Sequence, residues 1–201
     1  MTEHTMVRGY TNQIPVFEPL VETLRRHTAT WEHPLPCGVE LGTLLFDLEP
    51  AFARIGVRPR HLPYGRYLLH HEEKFNVQLD VFSRDYTGSV HAHLTWGLLW
   101  VIRGGLRVWD HDYRDGKNIL QRTAWLPAGG GQCFGPPASD WHRVASPDVD
   151  EQTISIHIYG ADFDLETGVA LDEDDKPRRY TRGPLGDLSH VAPAFFDKAH
   201  A

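Results

Sequence analysis

The sequence predicts an all-β jelly roll behind a helical N-terminus, and a change of period along the chain carries that prediction. Apolar residues recur at helical spacing in the early chain. From Tyr64 onward the period falls to two, with turn residues at roughly eight- to twelve-residue intervals, the pattern of a sandwich or barrel. With 201 residues and 41% hydrophobic content, the chain can bury one sizeable core. One domain is therefore expected, with 1–60 a helical cap, 61–165 a β-barrel core and 166–201 a C-terminal extension.

The first element is an amphipathic helix from Val16 to about Thr30, because Phe17, Leu20, Val21 and Leu24 share one stripe. Pro19 falls near its first turn, where proline is tolerated. A second helix is expected from Leu41 to Ile55, with Leu44, Leu45, Leu48, Phe52 and Ile55 on one stripe and a kink or break at Pro50. Strands are expected at Tyr64 to Leu69, Phe75 to Phe82, Ser89 to His93, Leu98 to Ile102, Leu106 to His111, Asn118 to Trp125, Trp141 to Ala145 and Thr153 to Tyr159. A glycine- and proline-rich connection from Pro127 to Pro137 separates the sixth from the seventh. The run Asp172 to Asp175, followed by Lys176, Arg178 and Arg179, lacks a calcium loop's spacing and reads as a solvated, self-neutralising loop. Phe195 and Phe196 are expected to pack the extension onto the barrel.

Composition narrows the function. A net charge of −7 and a pI near 6.0 disfavour nucleic acid and anionic membranes as partners, since both attract a basic face. The N-terminus has no signal-like apolar stretch, no segment is long and apolar enough to span a bilayer, and Cys37 and Cys133 make no disulfide framework. A cytoplasmic protein acting on a small molecule, as a monomer or small homo-oligomer, is the resulting expectation.

The chemistry centres on His91-Ala-His93. Side chains two apart on a strand share a face, so both imidazoles can reach one metal ion, and His142 offers a third. Three neutral imidazoles suit iron(II), zinc, copper or nickel with open positions left for substrate. Metal-binding jelly rolls of the cupin kind usually add a glutamate just after the histidine pair, but Gly97 and Leu98 stand there. His70 and His71, in a charged turn, are assigned no metal role. The segment Ile154 to Tyr159 alternates strictly, with isoleucines on one face and Ser155, His157 and Tyr159 on the other. If the isoleucines meet core, the polar face either meets solvent or, with a metal in the barrel, lines a cavity where Ser155 and Tyr159 can hydrogen-bond the two nitrogens of His157 and fix its tautomer. Tyr64 and Arg66 share a strand face, and a guanidinium pointing into such a cavity needs an anion, for which a carboxylate fits.

Taken in order, Tyr64-Gly-Arg66, Lys74-Phe-Asn76, Gly88-Ser-Val-His91-Ala-His93, His142-Arg-Val and Ser155-Ile-His157-Ile-Tyr159 resemble the cysteine dioxygenase family of thiol dioxygenases, over roughly Arg60 to Asp164. The resemblance implies a cupin barrel with mononuclear Fe(II) on His91, His93 and His142. It also implies a second-sphere triad of Ser155, His157 and Tyr159, a substrate carboxylate on Arg66 beside Tyr64, and a reaction in which thiol and O2 give a sulfinic acid. Neutral ligands leave the ion's charge uncompensated, which favours an incoming thiol as thiolate. Leu98 stands where mammalian-type enzymes carry the cysteine that cross-links to the tyrosine, and Gly160-Ala-Asp162 replaces their Ser-Pro-Pro. With Trp96 and Trp100 nearby, these departures widen the substrate expectation from cysteine to 3-mercaptopropionate, mercaptosuccinate or ergothioneine. A carbon–carbon-cleaving cupin dioxygenase and a metal-binding sensor are the alternatives.

Overall fold

The computed structural model describes residues 17–28, 41–47, 64–135, 140–146, 152–160, 167–183 and 185–186. Helix α1 spans Glu18–Thr28, with Glu18 in its first turn and Arg25, Arg26 and His27 in its last, each sign matching the helix dipole. A second short helix, α2, occupies 41–47; the rest of the expected second helix, with Pro50, lies outside the described residues, as do Cys37, Phe195 and Phe196. Among the described residues no helix is long and apolar enough to cross a membrane.

Among the described residues twelve strands follow: β1 (Tyr64–His71), β2 (Phe75–Phe82), β3 (His91–Ala92), β4 (Gly97–Arg103), β5 (Gly105–Arg114), β6 (Lys117–Pro127), β7 (Gly131–Phe134), β8 (His142–Ala145), β9 (Thr153–Gly160), β10 (Thr167–Leu171), β11 (Pro177–Thr181) and β12 (Leu185–Gly186). They form two six-stranded sheets, β12-β1-β2-β9-β4-β7 and β11-β10-β3-β8-β5-β6. Apart from the parallel β1–β12 pair, the ladders are antiparallel. This is a jelly-roll arrangement of two layers, but no ladder among the described residues joins the sheets, so the expected closed barrel is open.

Four strands were missed by the sequence reading. β7 lies inside the segment read as a glycine-rich connection, and its pairing with β4 aligns Gly131 with Trp100 and Phe134 with Gly97. β10, β11 and β12 fall in the C-terminal extension. The first two form a hairpin whose turn is the acidic run: Arg178 Nε donates to Asp172 Oδ2 at 2.9 Å, as expected of a self-neutralising loop. β10 continues onto β3, and β12 runs beside Arg66 and Tyr67 of β1.

Strand alternation sorts the first sheet into two faces. Phe75, Val77, Leu79 and Val81 of β2 and Ile154, Ile156 and Ile158 of β9 meet Phe17, Leu20, Val21, Leu24, Leu41 and Leu45 of the helices in one apolar cluster. On the inner face, Phe82, Leu99 and Val101 meet Leu106, Val108, Leu126 and Val144 of the second sheet. Most of the inner-face positions left over on β1, β2 and β9 are polar, and they build the site. Ile156 sits at the centre of the outer cluster with no exposed surface. Ile156→Ala should therefore cost about 3–4 kcal/mol of stability, read as a lower urea midpoint at unchanged slope.

Candidate metal centre

β3 and β8 pair at a single register position, His91 opposite His142. His93 follows β3 one residue later and returns to the same face. The three histidines each offer a ring nitrogen, and those atoms lie within 4.8 Å of one another. The ring centroids are 4.9 Å apart for His91 and His93, 4.6 Å for His91 and His142, and 4.9 Å for His93 and His142. His142 Nδ1 donates to the carbonyl of Asp140 at 2.7 Å, and His91 Nδ1 donates to that of Ser89 at 3.0 Å. A carbonyl can only accept, so both rings carry their proton on Nδ1 and leave the Nε2 lone pair for a metal. Burial and the neighbouring imidazoles push His91 down to about 3 and His93 well below its ordinary range, while burial takes His142 to about 4. All three are neutral at physiological pH. This donor set fits a divalent transition metal, with no carboxylate among the converging atoms.

One residue of this centre was not foreseen. Asp140 is buried, and its carboxylate accepts the backbone N–H of His93 at 2.8 and 3.0 Å and that of Leu94 at 2.9 Å. Leu94 has a φ of 61°, a left-handed turn that a leucine seldom adopts, and the Asp140 carboxylate clamps it. Burial pushes the Asp140 carboxyl up to about 6, against the pull of those N–H donors. An aspartate two residues before a candidate histidine ligand was the available signal.

The polar face of β9 is arranged as its alternation implies. Ser155 Oγ is 2.8 Å from His157 Nε2, and the Tyr159 hydroxyl is 2.8 Å from His157 Nδ1. Asp80 Oδ2 lies 3.5 Å from Nε2, which favours the proton there and leaves Nδ1 to accept from the phenol. The Tyr159 ring centroid stands 4.7 Å from that of His93, so the relay abuts the histidine cluster. Burial raises the Tyr159 hydroxyl well above the usual phenol range, and it stays protonated.

Arg66 is buried on the same inner face. Its Nε and Nη2 donate to Gln78 Oε1 at 3.3 and 3.2 Å, and Nη1 donates to the Gly183 carbonyl at 3.0 Å. Tyr64 donates its hydroxyl to Asp80 Oδ2 at 2.5 Å. The three histidines, His157 and Tyr159 of the relay, Arg66 and Tyr64 thus line one cavity of about 150 Å3, with Ser155 buried behind His157. Gln78, Asp80 and Arg182 line it too. The alternation of β2 (Asn76, Gln78, Asp80) carried the first two, while Arg182 belongs to the extension to which no chemistry had been assigned.

The structure also places three other positions that the sequence singles out. Leu98 does not face Tyr159: it points into the helix-side cluster, and Gly97 is the register partner of Tyr159. A side chain at Gly97 would meet the Phe134 ring at 2.2 Å, so glycine is required there. Trp96 and Trp100 also pack against the helix-side cluster and do not line the cavity. His70 is buried at the end of β1, bonded to Glu72 at 2.9 Å and stacked on Phe75, and so lies away from the histidine cluster as expected but in a packed rather than a solvated setting.

No family model matches the sequence. Among solved structures, the chain is similar to a cupin superfamily protein from Desulfitobacterium hafniense DCB-2, at 15% identity over 65% of this chain and 92% of that one, with a TM-score of 0.40. It is also similar to an RmlC-like cupin from Shewanella frigidimarina NCIMB 400, at 19% identity over 54% and 86%, TM-score 0.39. A third is KdgF from Halomonas sp., at 16% identity over 52% and 85%, TM-score 0.38. The neighbours are cupin-superfamily proteins; the jelly-roll description of this chain rests on its own strand order and register, and the metal centre on its three converging histidines.

Proposed function

We propose that the protein is an Fe(II)-dependent thiol dioxygenase that converts a small carboxylate-bearing thiol and O2 into the sulfinic acid. The observation that carries this reading is the sharing of one cavity by three neutral histidines, the His157–Tyr159 pair that Ser155 backs, and a buried arginine. His91, His93 and His142 would hold the ion. Bound there, iron(II) would supply the redox chemistry for oxidising a thiol with O2, a reaction in which both oxygen atoms end on the sulfur and no further reductant is needed.

The chain's own residues do the rest. Gln78 and Gly183 hold the guanidinium of Arg66 in place, and a carboxylate docked on it fixes the thiol end toward the histidines. Ser155 and Asp80 keep the His157 proton on Nε2, and His157 aims the Tyr159 hydroxyl along the cavity, where it meets charge that develops during the reaction. The lining, with Arg66, Gln78 and Asp80, suits a polar substrate rather than an apolar diketone or phenol.

The test is O2 uptake by the Fe(II)-loaded protein against cysteine, 3-mercaptopropionate, mercaptosuccinate, ergothioneine and cysteamine, with products identified by mass. A gain of two oxygen atoms on one thiol is expected; iron-loaded protein that consumes no O2 with any of them overturns the reading. Tyr159→Phe should lower kcat by roughly a hundredfold with iron content unchanged.

A further inference from the structure

Asp80 holds more charge than its described partners use. It is 1% exposed and lies on the inner face of β2, opposite Arg66 in register. Tyr64 and His157 both address Oδ2, at 2.5 and 3.5 Å, so a positioning role accounts for one carboxylate oxygen. The other, Oδ1, is buried and has no hydrogen-bond partner among the described residues. Burying an ionised oxygen without a partner is expensive, and a site retains one where a ligand supplies the missing charge.

An aromatic wall adjoins this carboxylate. Tyr64 and Phe82 have ring centroids 5.0 Å apart, Tyr64 and Tyr86 5.4 Å, and Phe82 and Tyr86 5.2 Å, and all three rings line the cavity. Their faces carry the negative side of the ring quadrupole, and the hydrogen bond from Tyr64 to Asp80 makes that ring more electron-rich. Burial, with Asp80 adding to it, pushes the Tyr86 phenol up to about 12, a sign that the carboxylate's field reaches along the wall. Arg66 and Arg182 supply positive charge to the same cavity. The lining therefore pairs cationic groups with one anionic, aromatic niche, the complement of a zwitterion.

The type of cation follows from the hydrogen-bond count. Gln78 Oε1 already accepts from Arg66, and Asp80 Oδ2 accepts from Tyr64, which leaves Oδ1 as the open carboxylate oxygen at the niche. A primary ammonium brings three N–H donors, more than one carboxylate oxygen can accept, whereas a quaternary ammonium brings none and is held by the carboxylate's charge and the ring faces. We propose that Asp80 and the wall of Tyr64, Phe82 and Tyr86 form a receptor for a quaternary ammonium, so that the substrate is a betaine-type thiol carrying a methylated cationic nitrogen as well as a carboxylate. The thiol part of this statement rests on the dioxygenase reading; the cation site does not.

The test measures binding before turnover. Calorimetry on the metal-free protein should show tetramethylammonium and glycine betaine binding more tightly than ammonium and glycine, and Asp80→Asn should weaken the methylated probes by roughly 10- to 100-fold. In the iron-loaded protein, the same variant should cut the ratio of kcat/KM for ergothioneine to that for mercaptosuccinate by a similar factor, which a merely structural Asp80 would not do. Should Asp80→Asn fail to fold, Tyr86→Leu keeps the carboxylate, removes one ring face and should weaken the methylated probes selectively. Equal binding of methylated and unmethylated probes, or an unchanged substrate ratio, overturns the inference while leaving thiol oxidation intact. Selective cation binding in a protein that oxidises no thiol overturns the dioxygenase reading and leaves the cation site standing.

Discussion

His142→Ala is expected to abolish iron retention and, with it, all thiol-dependent O2 uptake. The triad offers one ring nitrogen from each histidine, and among the described residues no carboxylate converges on it to compensate for a lost donor. His142 also couples the two sides of the centre. It is the register partner of His91 across β3 and β8, and its Nδ1 proton is tied to the carbonyl of Asp140, whose carboxylate holds the His93 turn. Two histidines on a two-residue strand and its following turn would remain. Since losing an outer-shell partner alone costs 10- to 100-fold in metal affinity, losing a ligand should cost on the order of a thousandfold or more. The metal-free fold should survive, because the wild-type cavity already buries three imidazoles that gain little from one another without an ion. Iron content after dialysis, read beside the melting temperature of metal-free protein, separates a lost ligand from a lost fold. Full turnover with iron retained in this variant would remove the proposed centre.

Much of this arrangement is written in side-chain parity. Ile154 to Tyr159 alternates so cleanly that apolar packing against the helices forces Ser155, His157 and Tyr159 inward, and the structure has them there. The same parity runs through β2, where Val77, Leu79 and Val81 face the helices and Gln78 and Asp80 therefore enter the cavity. Parity also sorts the strand after the histidines: Leu98 and Trp100 lie on the helix side, and Gly97 is the register partner of Tyr159. What parity cannot carry is backbone pairing without an apolar face. β11 (Pro177–Thr181) is exposed at every residue, and β12 is two residues long. Their place is set by hydrogen bonds to β10 and β1, which no local pattern announces. β7 hides for a related reason: Gly131 fits only because a side chain there would strike the Trp100 ring at 2.6 Å, a tertiary demand that reads locally as a loop. Arg182 reaches the cavity through this same extension, so the lining is less legible than the metal ligands.

Asp140→Ala should cripple the metal centre without touching a ligand. His93 belongs to no ladder; it is held by the turn that follows β3, and the carboxylate of Asp140 anchors that turn through the N–H groups of His93 and Leu94. Leu94 at φ 61° has no intrinsic preference for this conformation, so those bonds help hold the turn. Alanine removes the acceptors and leaves the buried N–H of His93 unmet, a loss of about 1–3 kcal/mol. The backbone carbonyl that orients His142 belongs to residue 140 itself and stays, so the damage falls first on His93. Iron affinity should drop roughly 10- to 100-fold, well short of the His142→Ala loss. Saturating iron should therefore restore a large part of the turnover in Asp140→Ala and none of it in His142→Ala. Asp140→Asn, which keeps one acceptor oxygen, should lie between wild type and Asp140→Ala in both stability and iron affinity. Wild-type iron affinity in the alanine variant would show that the His93 turn holds itself, and that the carboxylate serves the fold alone.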